Sequence, residues 1–307
     1  MKEKVVIADK KAIEGVKLGV PNLIKVAEKY NAKVTFAVCP EVVEYFPKNA
    51  KHEIGLHIHP GWHEFLKHGI TFHAGDLYLR RHCKQSTNST VLRDYTYEEQ
   101  LGMISKGKQY LEEKLRIEPK SFVAGRWSIN NDTVKALIES EITHECSAPT
   151  HSRAAHYDWS RLPRICMPYY PSERDYQSRG MLPLLIVPIS NMLFAGNVNP
   201  EVAPFVGLSW LKACFLEYYN QNLPLFHICL HSPCMTDPYF IMVMDNLLKF
   251  ISSQKNIDFR FASDIEMCDG EKPKTNIMPY LLGGINKNII ERNLVPIKSM
   301  IFGEKRE

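Results

Sequence analysis

The sequence predicts an α/β protein with a mostly parallel sheet, either open or closed into a barrel. Short apolar runs alternate with helical patterns along most of the chain, the signature of strand-helix-strand units. Its 307 residues, 45% of them hydrophobic, are enough for one large α/β domain or two smaller ones. Polar and ionisable residues recur directly after the apolar runs, and in such folds sites gather at the carboxyl ends of the strands.

The first run is Val5-Val6-Ile7-Ala8, a buried strand ending at Asp9. A helix opened by Pro21 turns Leu23, Ile24, Val26 and Ala27 inward and ends near Asn31. Residues 34–38 form the next strand, stopped by Cys39-Pro40, and residues 54–58 another, ending in the turn Pro60-Gly61. Residues 66–96 show no clear period and read as a long insertion or loop system. From about Tyr97 a helix runs with Leu101, Ile104, Leu111 and Leu115 on its inner face. The strand 121–124 leads into Gly125-Arg126-Trp127, and Asn131 or Asp132 caps the helix that follows. Residues 149–180, rich in Pro, Tyr, Arg and Ser, read as surface loops. Strands at 184–188, 225–230 and 259–261 and helices at 210–219 and 240–251 complete the pattern. Beyond Cys268 a tail carries Gly, Pro and Lys.

The bulk numbers narrow the function. A net charge of +4 with scattered Lys and Arg gives no track for nucleic acid. No apolar run reaches the ~18 residues of a membrane span, and the short apolar run after Met1-Lys2-Glu3-Lys4 does not read as a signal peptide. The eight cysteines are dispersed without a CxxC pair and read as small hydrophobes in a reducing cytoplasm.

Four of the twelve histidines fall in His52-Glu53-Ile54-Gly55-Leu56-His57-Ile58-His59-Pro60-Gly61-Trp62-His63. Histidines at a strand end are well placed for a metal, because the strand fixes their direction and the loop leaves an open side. Asp9, His57, His59, Arg126 and His231 all follow predicted strands. One carboxylate and two imidazoles with an open fourth position make a catalytic divalent-metal set, most often zinc. Such an ion polarises a carbonyl and acidifies water. A further histidine can protonate a leaving group, and an arginine can orient a carboxylate base. The blander readings are satisfied core histidines for His57 and His59, a helix cap for Asp9 and a loop anchor for Arg126. Trp62, Trp127, Trp159 and the Tyr169-Tyr170 pair either stack on sugar rings or cap the barrel.

The motifs His52-Glu53-Ile54-Gly55-Leu56-His57, Phe122-Val123-Ala124-Gly125-Arg126-Trp127 and Leu230-His231-Ser232-Pro233, with Val34-Thr35-Phe36 before them, resemble those of the polysaccharide deacetylases. These are the NodB-homology proteins of carbohydrate esterase family 4, and the branch found in surface-polysaccharide and O-antigen clusters is the most similar. The resemblance implies a distorted (β/α) barrel of about seven strands over residues 1–268, with insertions at 66–96 and 149–180, and a tail at 269–307 packing on it. It implies a divalent metal, most often zinc, an N-acetylated sugar or polysaccharide precursor as substrate, and hydrolytic removal of the acetyl group. His57 matches the first metal histidine and His231 the general acid; Arg126 lies in the third motif. The second metal histidine of the family falls on Gly61, so His59 or His63 takes its place. Alternation along the strand favours His59, which points the same way as His57. The first motif offers Asp9 where the family has two acids. The alternative is therefore a non-catalytic carbohydrate-binding relative.

Overall fold

A computed structural model of the chain describes residues 13–48, 51–67, 70–267 and 273–282, and of residues 62–74 only the backbone. Asp9, the strand expected before it and Cys268 lie outside the described residues, as does the side chain of His63.

Five strands form an all-parallel sheet. In chain order the strands are β1 (Thr35–Val38), β2 (Glu53–Ile58), the hairpin β3 and β4 (Trp62–Lys67 and Ile70–Gly75), β5 (Ser121–Ala124) and β6 (His144–Glu145). A short hairpin, β7 and β8 (Arg153–Ala154 and Tyr157–Asp158), and β9 (Leu185–Ile186) follow. The sheet order is β1-β2-β5-β6-β9. Helices cover it: α1 (Val20–Glu28), α2 (Leu77–His82), α3 (Tyr97–Leu115) and α4 (Asn131–Glu139). Pro21 sits in the first turn of α1, where no amide donor is needed, and Val20, Leu23, Val26 and Ala27 are its buried residues. The long helix α3 opens with a reciprocal Thr96–Glu99 capping box and buries Met103, Ile104 and Leu111 completely.

Past β9 the parallel sheet adds no further strand among the described residues, and the wall continues through single hydrogen bonds. Ser190 N donates to His227 O (3.1 Å), Cys229 N donates to Val198 O (3.1 Å), and Ala262 N donates to Thr35 Oγ1 on β1 (2.8 Å). The chain thus comes back round to its first described strand as a distorted α/β barrel. The expected strands at 225–230 and 259–261 are extended segments and not laddered strands. The physical reason is visible in their partners: His227 N is met by Ser190 Oγ and Ala262 N by Thr35 Oγ1, which interrupts the run of backbone pairs to which Cys229 N, on Val198 O, belongs.

Three further expectations are corrected. Much of 66–96 is ordered secondary structure, β4 and the helix α2, with Asp76 capping α2 through Leu79 N (3.0 Å). A two-stranded ribbon is held by backbone bonds and need leave no apolar period in the sequence. The cap of α4 is Asn130, one residue earlier than expected, since Asn130 is the residue still extended and its Oδ1 accepts from Thr133 N (2.9 Å). Trp159 and Tyr169 are fully buried and bonded to Trp127 O and Tyr176 O, so neither ring is open to a sugar.

Glu53, at the amino end of β2, joins four segments. It accepts from Thr35 Oγ1 (2.6 Å), Ser121 Oγ (2.8 Å) and Ser263 N (3.1 Å), while Thr35 Oγ1 in turn accepts from Ala262 N. Removing the carboxylate leaves three donors unmet at the closure of the barrel. Glu53→Ala is expected to cost about 2–3 kcal/mol, a fall of roughly 3–5 °C in Tm by thermal denaturation. An unchanged Tm would show that the closure does not depend on this carboxylate.

Among the described residues, no helix is long and apolar enough to cross a membrane.

Candidate functional site

His57 is the fifth residue of β2 and pairs in register with Val123 of β5. Its Nδ1 lies 2.7 Å from Val123 O. A carbonyl can only accept, so Nδ1 carries the proton and Nε2 keeps its lone pair. Two residues on, just past the strand, the His59 ring stands 4.8 Å from that of His57, nearly perpendicular to it. The alternation of an extended strand puts both on one side. Burial holds both imidazoles far below their ordinary range, His57 at about 4 and His59 at about 3. The bond to Val123 O partly offsets the effect at His57; the charges of His57, Arg126 and His231 add to it at His59. At neutral pH both rings are uncharged, the form in which imidazole binds a metal ion.

Two glycines shape this pair. A Cβ at Gly125 would come within 2.5 Å of His59 Nδ1 and 2.6 Å of Ile58 O, so only glycine lets β5 run on beneath the ring. Gly61 has φ +76°, and a Cβ there would meet Ser89 O at 2.3 Å. A side chain at position 61 would therefore clash with the backbone, which is why no second histidine could occupy that place. Gly125→Ala is expected to push the His59 ring toward solvent, raising its proton-NMR titration midpoint by at least one pH unit with a loss of about 1–3 kcal/mol. A midpoint left where it was would show that the ring is not seated on Gly125.

Arg126 and Trp127, which follow, are both left-handed, with φ 55° and 53°. Two such residues in succession are costly for non-glycine side chains, roughly 1–2 kcal/mol each. The turn is held by Trp159 Nε1 donating to Trp127 O (3.0 Å) and by Ser128 N donating to Gly125 O (3.3 Å). Arg126 is exposed, and its charge acts on His59.

His231 stands at the end of the 225–230 segment, near enough for its charge to depress both His57 and His59. Its Nδ1 lies 2.9 and 3.2 Å from the two oxygens of Glu201, and its backbone N donates to Glu201 Oε1 (2.6 Å). The hydrogen bond to Glu201 raises the imidazole above its ordinary value against the opposing effect of burial. Burial pushes the Glu201 carboxyl up, but its bonds and charge coupling to His231 outweigh that, and it lies below the usual carboxylate range. The ring itself is 72% exposed. The result is an accessible imidazole biased toward its protonated form by a carboxylate behind it.

The sequence did not single out Glu201. It lies thirty residues before His231 in a single-turn helix, and only the fold brings them together. His227 is satisfied by Pro188 O (3.2 Å) and burial lowers its pKa, as expected of a wall residue.

The site therefore brings together His57, His59, Arg126 and His231, and adds Glu201. Among the described residues, no group of three or more His, Cys, Asp or Glu side chains is gathered closely enough to hold a metal ion. Two neutral imidazoles, that of His57 with its tautomer fixed by Val123 O, fit a divalent ion as a partial donor set, since a liganding histidine commonly donates its other N–H to a carbonyl.

No protein-family profile and no curated protein sequence matches the chain. Solved structures do. A protein from Mycobacterium smegmatis described as a polysaccharide deacetylase superposes with a TM-score of 0.52 at 16% identity, over 85% of this chain and 83% of its own. The allantoinase Puue superposes with a TM-score of 0.53 at 16% identity, over 86% of this chain and 76% of its own. The class defined by these likenesses is one of fold: a distorted α/β barrel. In particular the chain shares its fold with these two proteins.

Proposed function

We propose that the chain is a divalent-metal-dependent hydrolase that removes acetyl groups from an N-acetylated sugar or polysaccharide precursor. The observation that carries this reading is the placement of the neutral pair His57 and His59 beside a histidine held toward its protonated form by Glu201. His57 and His59 would hold the ion, joined by Asp9 or His63. When bound, a divalent ion supplies Lewis acidity toward the acetyl carbonyl and toward a water. The protein's own groups do the rest. Glu201 orients His231 and keeps a proton on it. His231 gives that proton to the departing amine, so the nitrogen leaves neutral. Arg126 presents positive charge at the rim. The motif resemblance and the fold support the saccharide as substrate. The seven described thiols are all unpaired, which suits a reducing, cytoplasmic setting.

The second reading is a non-catalytic carbohydrate-binding relative. It is favoured by the first motif, which offers Asp9 where the family has two acids. A third target class is a non-sugar amide, as in the allantoinase whose fold is similar. One experiment separates the three. Purified protein reconstituted with zinc is incubated with N-acetylated oligosaccharides and with allantoin, with and without a chelator, and acetate and allantoate are measured. Chelator-sensitive acetate release is expected. Saccharide binding without acetate release would establish the non-catalytic reading, and allantoin turnover alone would move the substrate away from sugars.

A further inference from the structure

One cavity lies outside the chemistry above. It has a volume of about 250 Å³ and is lined by Arg93, Arg153, Ala154, Ala155, Tyr157 and Asp158. These residues come from the loop before α3 and from the hairpin β7–β8 after β6, so the hairpin follows a strand whose carboxyl end lies alongside that of β5. The Tyr157 ring meets Trp127 edge-on at 5.5 Å, and Trp127 directly follows Arg126, whose charge reaches His59. The cavity is thus one aromatic pair removed from the candidate site.

Its lining is positively charged on balance, with two guanidiniums against one carboxylate. Asp158 is tied up in its own turn, accepting from Ser160 N (3.0 Å) and Ser160 Oγ (2.7 Å). Arg153 reaches it only through Nε at 3.4 Å, and no hydrogen bond among the described residues holds its two terminal amino groups. Arg93 uses one NH2 on Ala155 O (2.8 Å) and has no carboxylate partner among the described residues. The Arg153–Asp158 contact is the pair expected across a hairpin, since these residues are in register. It accounts for neither Arg93 nor the hollow between them. The arginine is also built into the site's loop: its backbone N donates to Ser128 Oγ (3.3 Å), immediately after Trp127.

Two guanidinium groups with spare donors around one hollow match the geometry of a planar or tetrahedral oxyanion. The volume is below the ~300–1,000 Å³ of sites that enclose a drug-sized ligand, so it suits a single sugar residue or less. Tyr157 supplies an apolar ring face on one side.

We propose that this cavity is an anion subsite that takes an acidic group, a carboxylate or a phosphate, carried on the saccharide next to the acetylated amine. The subsite rests on the deacetylase reading for its purpose but not for its binding. It selects acidic glycans over neutral ones by charge.

The test is calorimetric binding to the full chain. Three probes are used: a tetrasaccharide alternating glucuronate with N-acetylglucosamine, N-acetylglucosamine 1-phosphate, and neutral tetra-N-acetylchitotetraose. The expected result is at least tenfold tighter binding of one acidic probe than of the neutral one, lost in Arg153→Gln and in Arg93→Gln and weakened by salt. Preference for the first probe identifies a uronate, and preference for the second a phosphate. Arg153 is exposed, so its variant keeps the fold, which the thermal melt verifies. Equal affinity for acidic and neutral probes, or a preference that survives both substitutions, overturns the proposal. The preference should persist in metal-free protein and in His57→Ala. Absence of acetate release with the preference intact would therefore defeat the deacetylase reading alone, and release without any preference would defeat the subsite alone.

Discussion

His57→Ala is expected to abolish stable divalent-metal binding and reduce acetate release by at least about a thousandfold, measured by metal analysis after dialysis and by a coupled acetate assay. The size of the effect follows from the ring's position. Its Nδ1–H is committed to Val123 O, which fixes both tautomer and orientation and leaves Nε2 as the donor. Groups that merely orient a ligand change metal affinity by about 10–100-fold, so loss of a ligand should exceed that range. The fold should survive, because β2 keeps its register with β1 and β5 through the backbone. His227→Ala is the matching control. It too removes a half-buried, carbonyl-bonded imidazole, 3.2 Å from Pro188 O, but from the wall and not from the strand end. It should lower Tm without changing metal content. Equal metal content in His57→Ala and the parent protein would end the metal assignment at β2.

Much of this was legible from residue order. The β2 strand, its two histidines and the turn at Gly61 follow from a short apolar run and a Pro-Gly break, and alternation alone places His57 and His59 together. Arg126 is legible because a strand end is recognisable even when the strand is short, and His231 because it closes an apolar run, although that run is extended without being a strand. What escaped depends on distance. Glu201 meets His231 only when the extended 225–230 segment returns beside residues 190–198, and no local signal marks that approach. The same holds for Glu53, whose partners lie on β1, on β5 and past 261. The extended segments at 225–230 and 259–261 carry the pattern of strands because apolar patterning reports burial. Ladder pairing depends in addition on whether the neighbour offers backbone or side chain. Gly125 stands in a motif of the sequence, and the physical reason for it is the His59 ring above it.

Glu201→Gln carries the second large effect, and its signature is a change of pH profile. The carboxylate raises His231, so the parent enzyme keeps its acid protonated to higher pH. Without that charge the imidazole returns toward its ordinary value, and the alkaline limb of kcat/KM should move to lower pH. Activity should then fall little near pH 6 and progressively more as pH rises above 8, because general-acid catalysis needs the protonated imidazole. The linked stability has a definite sign. His231 is raised in the folded state, so its contribution is complete below its unfolded pKa and is lost as pH rises through the folded one. Glu201 is lowered, so its contribution is present above its unfolded pKa and is lost as pH falls through the folded one. The pair therefore stabilises most between the lowered Glu201 value and the raised His231 value, and the substitution should flatten Tm against pH across that window. Because the His231 ring is 72% exposed, solvent screening keeps this stability term small. The kinetic shift is thus the more sensitive readout. His231→Ala should abolish the alkaline limb together with most of the activity. An alkaline limb that stays in place in Glu201→Gln would mean that His231 is not the proton donor, whatever else the dyad does.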